Sequence, residues 1–283
     1  MTIIIGLAGI LIAGICLLLF CVAPGRMPKA AQETARAFSG LNCAHRGLHT
    51  KDQSIPENSL AAFAAAHKAG YGVELDVQLS KDGQVLVFHD DTLNRVCGVD
   101  ARVDALNWEA LQKLPLLASE ERIPLFSHAL KILDDTPIIV ELKSAKARNA
   151  ELCEKTLRIL RENGKICCVE SFDPRIVAWF RKNAPDVLRG QLSSHPRHFD
   201  TLSKLTAYAL GSLWTNVLTR PHFIAYRKGA RPFAVRACMA MNPMKVVWTV
   251  RDEQDAALCE QENDAVIFEY YRPAPRYARG GVG

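Results

Sequence analysis

The sequence predicts a closed, parallel α/β barrel of the (β/α)8 type preceded by one transmembrane helix. Three observations carry this. Residues 2–23 are almost wholly apolar and contain no charged side chain. From residue 41 onward, short apolar runs alternate with helical patterns, as strand and helix alternate around a parallel sheet. One of these alternations is broken by a tight hairpin signal, which reduces nine strand candidates to the eight that a closed barrel holds.

The N-terminal segment comes first. At about 1.5 Å per residue it reaches about 33 Å, against about 30 Å of bilayer hydrocarbon. A cleaved signal peptide fits less well, because no basic residue precedes the stretch, the stretch is long, and Pro24 follows the small-residue site. Residues 1–25 therefore read as a retained membrane anchor and 26–40 as a polar linker with a turn or two of helix. Arg26, Lys29 and Arg36 follow the anchor and nothing basic precedes it. The positive-inside rule then expects a single-pass cell-membrane protein with its body in the cytoplasm. The cysteines agree: seven lie beyond the anchor, two of them adjacent, with no CxxC pair, as reduced thiols would.

Residues 41–283 read as one barrel domain. Strands are predicted at 41–46, 72–78, 84–89, 137–143, 166–171, 188–193, 221–226, 245–250 and 265–270. Helical patterns fall at 58–69, 147–163, 173–184, 198–212, 231–241 and 252–262. Asn58 and Asp173 suit N-caps, Pro174 suits a first helical position, and Gly70 and Gly164 suit helix ends. Lys81-Asp82-Gly83 turns 84–89 back antiparallel on the second strand. Residues 91–130 are a short insertion with helices near 107–114 and 127–134.

Composition narrows the function classes. At 49% hydrophobic and 23% charged the chain is too apolar to be disordered. A net charge of +5 suits an anionic substrate or an acidic membrane surface, and no Lys/Arg stripe marks a nucleic-acid binder.

The chemistry gathers at strand ends. Glu74 and Asp76 stand two apart on a strand and share a face. Two carboxylates in a covered strand are costly to bury unless a cation joins them, and oxygen-only ligands favour Mg²⁺ or Ca²⁺. Glu141 and Lys143 repeat the spacing, so Glu141 reads as a third ligand and Lys143 as a cation beside the metal. His45 and His89 each end a predicted strand and could divide general acid and base work. The other six histidines read as structural or surface. Arg46 can grip a phosphate with two donors. Glu57 reads as a positioning residue, and Asn58 opens the first helix. A metal, two histidines and two cationic side chains fit phosphodiester cleavage.

These residues carry a family resemblance. HRG at 45–47, PEN at 56–58, ELD at 74–76, KDG at 81–83, FHDDTLNR at 88–95, IPLF at 123–126, ELK at 141–143, SFDP at 171–174 and WTV at 248–250 resemble, in order and spacing, the glycerophosphodiester phosphodiesterase family. The resemblance implies hydrolysis of a small-molecule glycerophosphodiester to glycerol 3-phosphate and an alcohol. It implies Glu74, Asp76 and Glu141 as ligands of one divalent cation, His45 and His89 as the catalytic pair, and Arg46 and Lys143 on the phosphate. It also implies attack by the glycerol 2-hydroxyl, giving a cyclic phosphate that water opens. Trp248 would flank the glycerol. Where many members carry PENT this chain has Ser59, and the last strand ends in Phe268-Glu269-Tyr270 rather than a TDxP-like segment. The nearest alternative is a lysophospholipase D or phospholipase C-type activity on membrane lipids. An alternative of another class is a non-catalytic phosphodiester-binding barrel, against which all seven site positions are filled.

Overall fold

The computed structural model describes the backbone of residues 2–278 and the side chains of residues 9–278. The strands are β1 (Leu41–His45), β2 (Gly72–Leu79), β3 (Val85–Val87), β4 (Ile138–Leu142), β5 (Cys167–Ser171), β6 (Arg189–Ser193), β7 (Phe223–Arg227), β8 (Met244–Val250) and β9 (Ala265–Phe268). All except β3 run parallel in the ring β1-β2-β4-β5-β6-β7-β8-β9, which closes where β9 pairs with β1. β3 pairs antiparallel with β2 and stands outside that ring, as the hairpin signal expects.

Helices of eight residues or more are α1 (Thr2–Val22), α2 (Lys29–Phe38), α3 (Leu60–Lys68), α4 (Phe126–Leu133), α5 (Asn149–Asn163), α6 (Pro174–Asn183), α7 (Lys204–Gly211), α8 (Phe233–Ala240) and α9 (Glu253–Glu262). Asp173 caps α6, its carboxylate accepting from the Arg175 amide at 2.9 Å. Gly164 ends α5 in the left-handed conformation. Two expectations need correction. α3 is capped by Ser59, whose hydroxyl accepts from the Ala62 amide at 3.1 Å, because the Asn58 side chain is drawn away to Asp76. The helix expected over 198–212 is broken: a 3₁₀ turn covers Pro196–His198, and α7 starts afresh behind the Ser203 cap. The insertion is compact, with its own buried cluster of Leu93, Val96, Val103, Leu111, Leu116 and Ile123 over Leu86 and Phe88.

Side-chain alternation divides the barrel. On the inner face, Leu41, Cys43, Ile139, Cys168, Phe223, Ala225, Met244, Val246, Ala265 and Ile267 form an apolar floor. Two residues farther along the same strands, the inner positions turn polar: His45, Glu141, Glu170, Arg227 and Glu269. Alternation makes each polar group follow its apolar neighbour on one face, and carboxyl ends of barrel strands are where such folds build their sites. The segment expected as a linker holds α2, whose Ala31 and Phe38 are fully buried against this floor.

Gly190 lies where a side chain cannot. A Cβ built there would sit 2.1 Å from the ring of Phe223, which is fully buried. Gly190→Ala is expected to cost about 1–3 kcal/mol from overpacking, read as a lowered urea midpoint with an unchanged slope.

The C-terminal end of α1 is docked on the barrel. Leu18 and Val22 pack among Leu213, Ile224, Ala234, Val235 and Cys238. Asn216 donates to the Val22 carbonyl at 2.9 Å, and Arg220 donates to the Phe20 carbonyl at 2.8 Å while covering the Phe20 ring at 4.6 Å. Ile10, Leu11, Ile12, Leu17 and Phe20 are exposed. Among the described residues no helix is long and apolar enough to cross a membrane, so the spanning role expected for this segment rests on its sequence.

Candidate active site

Strand register assembles the site. His45 on β1 lies opposite Glu74 on β2, Asp76 lies opposite Glu141 on β4, and Glu141 lies opposite Glu170 on β5. His45, Glu141 and Glu170 fall at or next to the carboxyl ends of their strands, while β2 runs on past Asp76 into the hairpin. One oxygen from each of Glu74, Asp76 and Glu141 falls within 4.8 Å of the others, and all three residues are buried.

Cations hold this cluster together. Lys143 Nζ lies 2.8 Å from Asp76 Oδ1 and 2.7 Å from Glu141 Oε1. Arg46 donates its backbone amide to Glu74 Oε2 at 3.1 Å, and its Nε lies 3.4 Å from Asp76 Oδ2. Asn58 donates to Asp76 Oδ2 at 2.8 Å. Burial alone would raise the Asp76 carboxyl, but Lys143, His89 and Arg46 hold it well below the usual range. Burial also opposes the charge on Lys143, yet Asp76 and Glu141 hold it above its ordinary value. Burial, reinforced by Asp76 and Glu141, pushes Glu74 well up. Burial likewise raises Glu141, and Glu170 well above the carboxylate range.

A divalent cation fits these residues. Glu74, Asp76, Glu141 and Glu170 crowd together with Lys143, Arg46 and His89 beside them, and burial and mutual repulsion push Glu74, Glu141 and Glu170 up, a cost that a bound cation would remove. Glu170 Oε2 is buried with no hydrogen-bond partner. The donor set is oxygen-only, which suits a hard cation.

The two histidines both line a cavity of about 220 Å³ that Glu74, Glu141, Glu170 and Trp248 also line. His45 Nε2 is 3.8 Å from Glu74 Oε2, and its Nδ1 is 3.5 Å from Glu269 Oε1. Burial pushes the His45 imidazole down to about 4, outweighing the pull of Glu269. The ring is therefore neutral near pH 7 and free to accept a proton. Burial alone would raise Glu269, but His45, His49 and Arg251 hold it far below the carboxylate range. His89 Nδ1 lies 2.6 Å from Asp90 Oδ1, which leaves Nε2 for the cavity.

A second layer joins the two sides. Arg46 Nη1 donates to Glu57 Oε1 at 2.7 Å, and Arg95 donates to the same oxygen at 2.7 Å. Arg95 also donates to Asp90 Oδ2 at 2.6 Å, and Asp90 holds His89. Glu57 thus positions Arg46 directly and His89 through Arg95 and Asp90. Trp248 stands edge-on to Phe172 with centroids 5.6 Å apart, and its indole donates to the Ala225 carbonyl at 3.3 Å.

Every residue singled out in the sequence is brought to this one end of the barrel. Sequence reasoning missed Glu170, Glu269, Arg251, Arg95 and the buried His49, whose Nε2 is 3.2 Å from Glu269. A signal existed for two of them: Glu170 follows Cys168, and Glu269 follows Ile267, by two residues on an inner face.

Known proteins share this architecture. A profile described as the glycerophosphoryl diester phosphodiesterase family matches residues 45–271. A glycerophosphodiester phosphodiesterase of Caldanaerobacter subterraneus subsp. tengcongensis is 28% identical over 230 residues, covering 76% of this chain and 87% of that protein. The crystal structure of a glycerophosphodiester phosphodiesterase from Thermotoga maritima superposes with a TM-score of 0.63 at 25% identity, covering 81% of this chain and 94% of that one. A phosphodiesterase of Oleispira antarctica, solved in complex with the product sn-glycerol-3-phosphate, shares the fold with a TM-score of 0.69 at 23% identity, covering 83% and 95% of the two chains.

Proposed function

The chain belongs to the glycerophosphoryl diester phosphodiesterase family, and from that premise we propose that it hydrolyses glycerophosphodiesters to glycerol 3-phosphate and an alcohol. The single observation that carries the reading is the convergence of Glu74, Asp76 and Glu141 at a cavity that His45 and His89 both line. Glu74, Asp76 and Glu141 hold one divalent cation, Mg²⁺ or Ca²⁺, which when bound polarises the phosphoryl oxygens.

The chain's own groups do the rest. Arg46 and Lys143 bring positive charge to the phosphate and stabilise the charge that builds on its oxygens. Neutral His45, oriented by Glu269, takes the proton from the glycerol 2-hydroxyl as that oxygen attacks phosphorus. His89, held through Nδ1 by Asp90, supplies a proton from Nε2 to the departing alcohol oxygen. The roles then reverse as water opens the cyclic phosphate. Trp248 and Phe172 wall the glycerol side. A substrate analogue lacking the 2-hydroxyl is not turned over on this route.

The polypeptide divides into an N-terminal membrane anchor, a short connecting helix and the barrel. Support for the anchor is the charge-free run of residues 2–23 and the exposed Ile10, Leu11, Ile12 and Leu17. Arg26, Lys29 and Arg36 favour a cytoplasmic barrel tethered beside its lipid-derived substrates.

The test is product analysis on the full chain in mild detergent. Glycerol 3-phosphate with free alcohol supports the reading; release of a phosphorylated headgroup instead removes it. Cation binding also has a stability signature. Adding Mg²⁺ or Ca²⁺ to EDTA-treated protein at about 100 times Kd is expected to add about 2.7 kcal/mol of stability, seen as a raised midpoint in thermal unfolding.

A further inference from the structure

Anchor and barrel meet without slack. Val22, the last residue of α1, is fully buried against the barrel, and its carbonyl accepts from Asn216 at 2.9 Å. Just beyond it the Gly25 amide donates to the Pro221 carbonyl at 2.8 Å. This contact shortens the free part of the anchor. Residues 2–17 of α1 reach about 24 Å at about 1.5 Å per residue. The hydrocarbon core of a bilayer is about 30 Å thick. Only the docked residues 18–22 close the gap, so the barrel surface around them comes to the level of the lipid headgroups.

That surface carries exposed apolar and aromatic side chains. Leu213 and Asn216 hold the end of α1, while Trp214 and Leu218 of the same segment are 43% and 62% exposed. Tyr208, exposed on α7, lies beside Trp214 with ring centroids 6.3 Å apart. On α8, whose Ala234 and Val235 pack in the same cluster as Val22, Phe233 is 68% exposed.

Positive charge gathers at the same place. Arg220 donates to the carbonyls of Phe20 and Ala23 at 2.8 and 3.1 Å. Arg181 on α6 donates to the Leu218 carbonyl at 2.7 Å, and the buried Arg189 donates to the Arg220 carbonyl at 2.9 Å. Among the described residues these guanidinium groups bond backbone carbonyls and no carboxylate. Burial lowers Arg189 to about 10 and also lowers Arg220, and the charge of Arg181 adds to both shifts. Exposed aromatic rings beside arginines without acidic partners, at the foot of an apolar helix, suit an acidic phospholipid surface. A second copy of the chain suits them less, because a two-fold contact would set the same arginines against each other.

We propose that this face of the barrel, from Tyr208 to Arg220 and across α1 to Phe233, rests on the acidic phospholipid surface of the bilayer that the anchor crosses. The proposal rests on the anchor reading given above and goes beyond it. A bare tether leaves the barrel free to turn, whereas this contact fixes its orientation on the membrane. Trp214, Leu218 and Phe233 lodge where headgroups meet acyl chains, and Arg181 and Arg220 face the lipid phosphates.

The test reconstitutes the full chain in vesicles of phosphatidylglycerol and phosphatidylcholine whose acyl chains carry bromine, a contact quencher of tryptophan emission. Alkaline extraction first shows whether the anchor holds the chain in the bilayer. Trp214 then reports on the surface, by comparing the unaltered chain with Trp214→Phe. The expected result is a chain that resists extraction and whose bromine quenching falls by about half in Trp214→Phe. Leu218→Asp, at an exposed position, is expected to abolish the Trp214 share of the quenching with its thermal midpoint unchanged. Arg181→Gln is expected to shift the balance from docked to undocked barrel about fivefold, as the loss of one basic side chain at an acidic surface does. That shift is expected with phosphatidylglycerol and not with phosphatidylcholine alone. A chain that resists extraction while Trp214 stays unquenched overturns the docking and leaves the anchor standing, whether the patch is bare or a crosslinked second copy covers it. Trp214 quenching that neither variant alters also overturns it. A chain released by alkaline extraction removes the anchor and the docking together.

Discussion

His45→Ala is expected to lower kcat on glycerophosphodiesters by about 10²–10⁴, the range lost with a general base, while the barrel stays folded. His45 is the neutral imidazole of the cavity, pushed down to about 4 by burial, and its Nδ1 faces Glu269 at 3.5 Å. Removing it strands no partner. Glu269 keeps His49 at 3.2 Å and Arg251 at 2.5 Å, and Glu74 keeps the Arg46 amide at 3.1 Å. The cation cluster is therefore left whole. Turnover and cation affinity should separate in this variant: kcat collapses and the dissociation constant for Ca²⁺ or Mg²⁺ stays within about threefold, a few tenths of a kcal/mol in either direction. A loss of cation binding as large as the loss of turnover would mean that His45 acts on the metal site rather than on the proton.

Glu141→Gln is expected to do the opposite. Cation affinity falls by about 10²-fold or more, since even outer partners of a metal site are worth 10–100-fold, and turnover falls with it. The metal-free protein should not suffer. Glu141 is one of the carboxylates crowded against Asp76 and Glu170, and burial and like charge raise the Glu170 carboxyl. Its amide keeps the shape, and Lys143 retains Asp76 at 2.8 Å. Removing one charge relieves repulsion, so the metal-free midpoint should rise by about 2–4 °C for each kcal/mol gained, while the cation-induced rise shrinks or vanishes. Thermal unfolding with EDTA and with saturating cation reads both. A metal-free midpoint that falls by many degrees would mark Glu141 as part of a structural ion pair with Lys143 instead.

Why so much of the barrel was legible is visible in particular residues. The pairs Glu74/Asp76 and Glu141/Lys143 are two apart on strands otherwise built from Val, Ile and Leu, and alternation alone puts each pair on one face. The hairpin at Lys81-Asp82-Gly83 removed 84–89 from the ring, and β3 pairs only locally in the structure. What single strands do not reveal is which neighbour lies in register. Glu170 looks like one more polar strand residue until β5 is set beside β4, where it falls opposite Glu141. Glu269 and His49 meet only because the last strand returns to the first, across more than 200 residues of chain. The Asn58 cap was misplaced for the same kind of reason: its partner Asp76 is distant in sequence, and that hydrogen bond outcompetes a local one. Likewise α2 has the polar composition of a linker, and only its inward Ala31 and Phe38, two residues in ten, carry its packing against the barrel floor.

The account turns on a cation held by carboxylates at the mouth of a phosphodiesterase barrel. Its most direct measurement strips the full chain with EDTA, titrates Mg²⁺ or Ca²⁺ by calorimetry, and follows glycerol 3-phosphate release from glycerophosphocholine at each point. The expected result is one cation per chain, with turnover rising in proportion to its occupancy. Full turnover in the metal-free protein, or none from folded protein saturated with either cation, would contradict it.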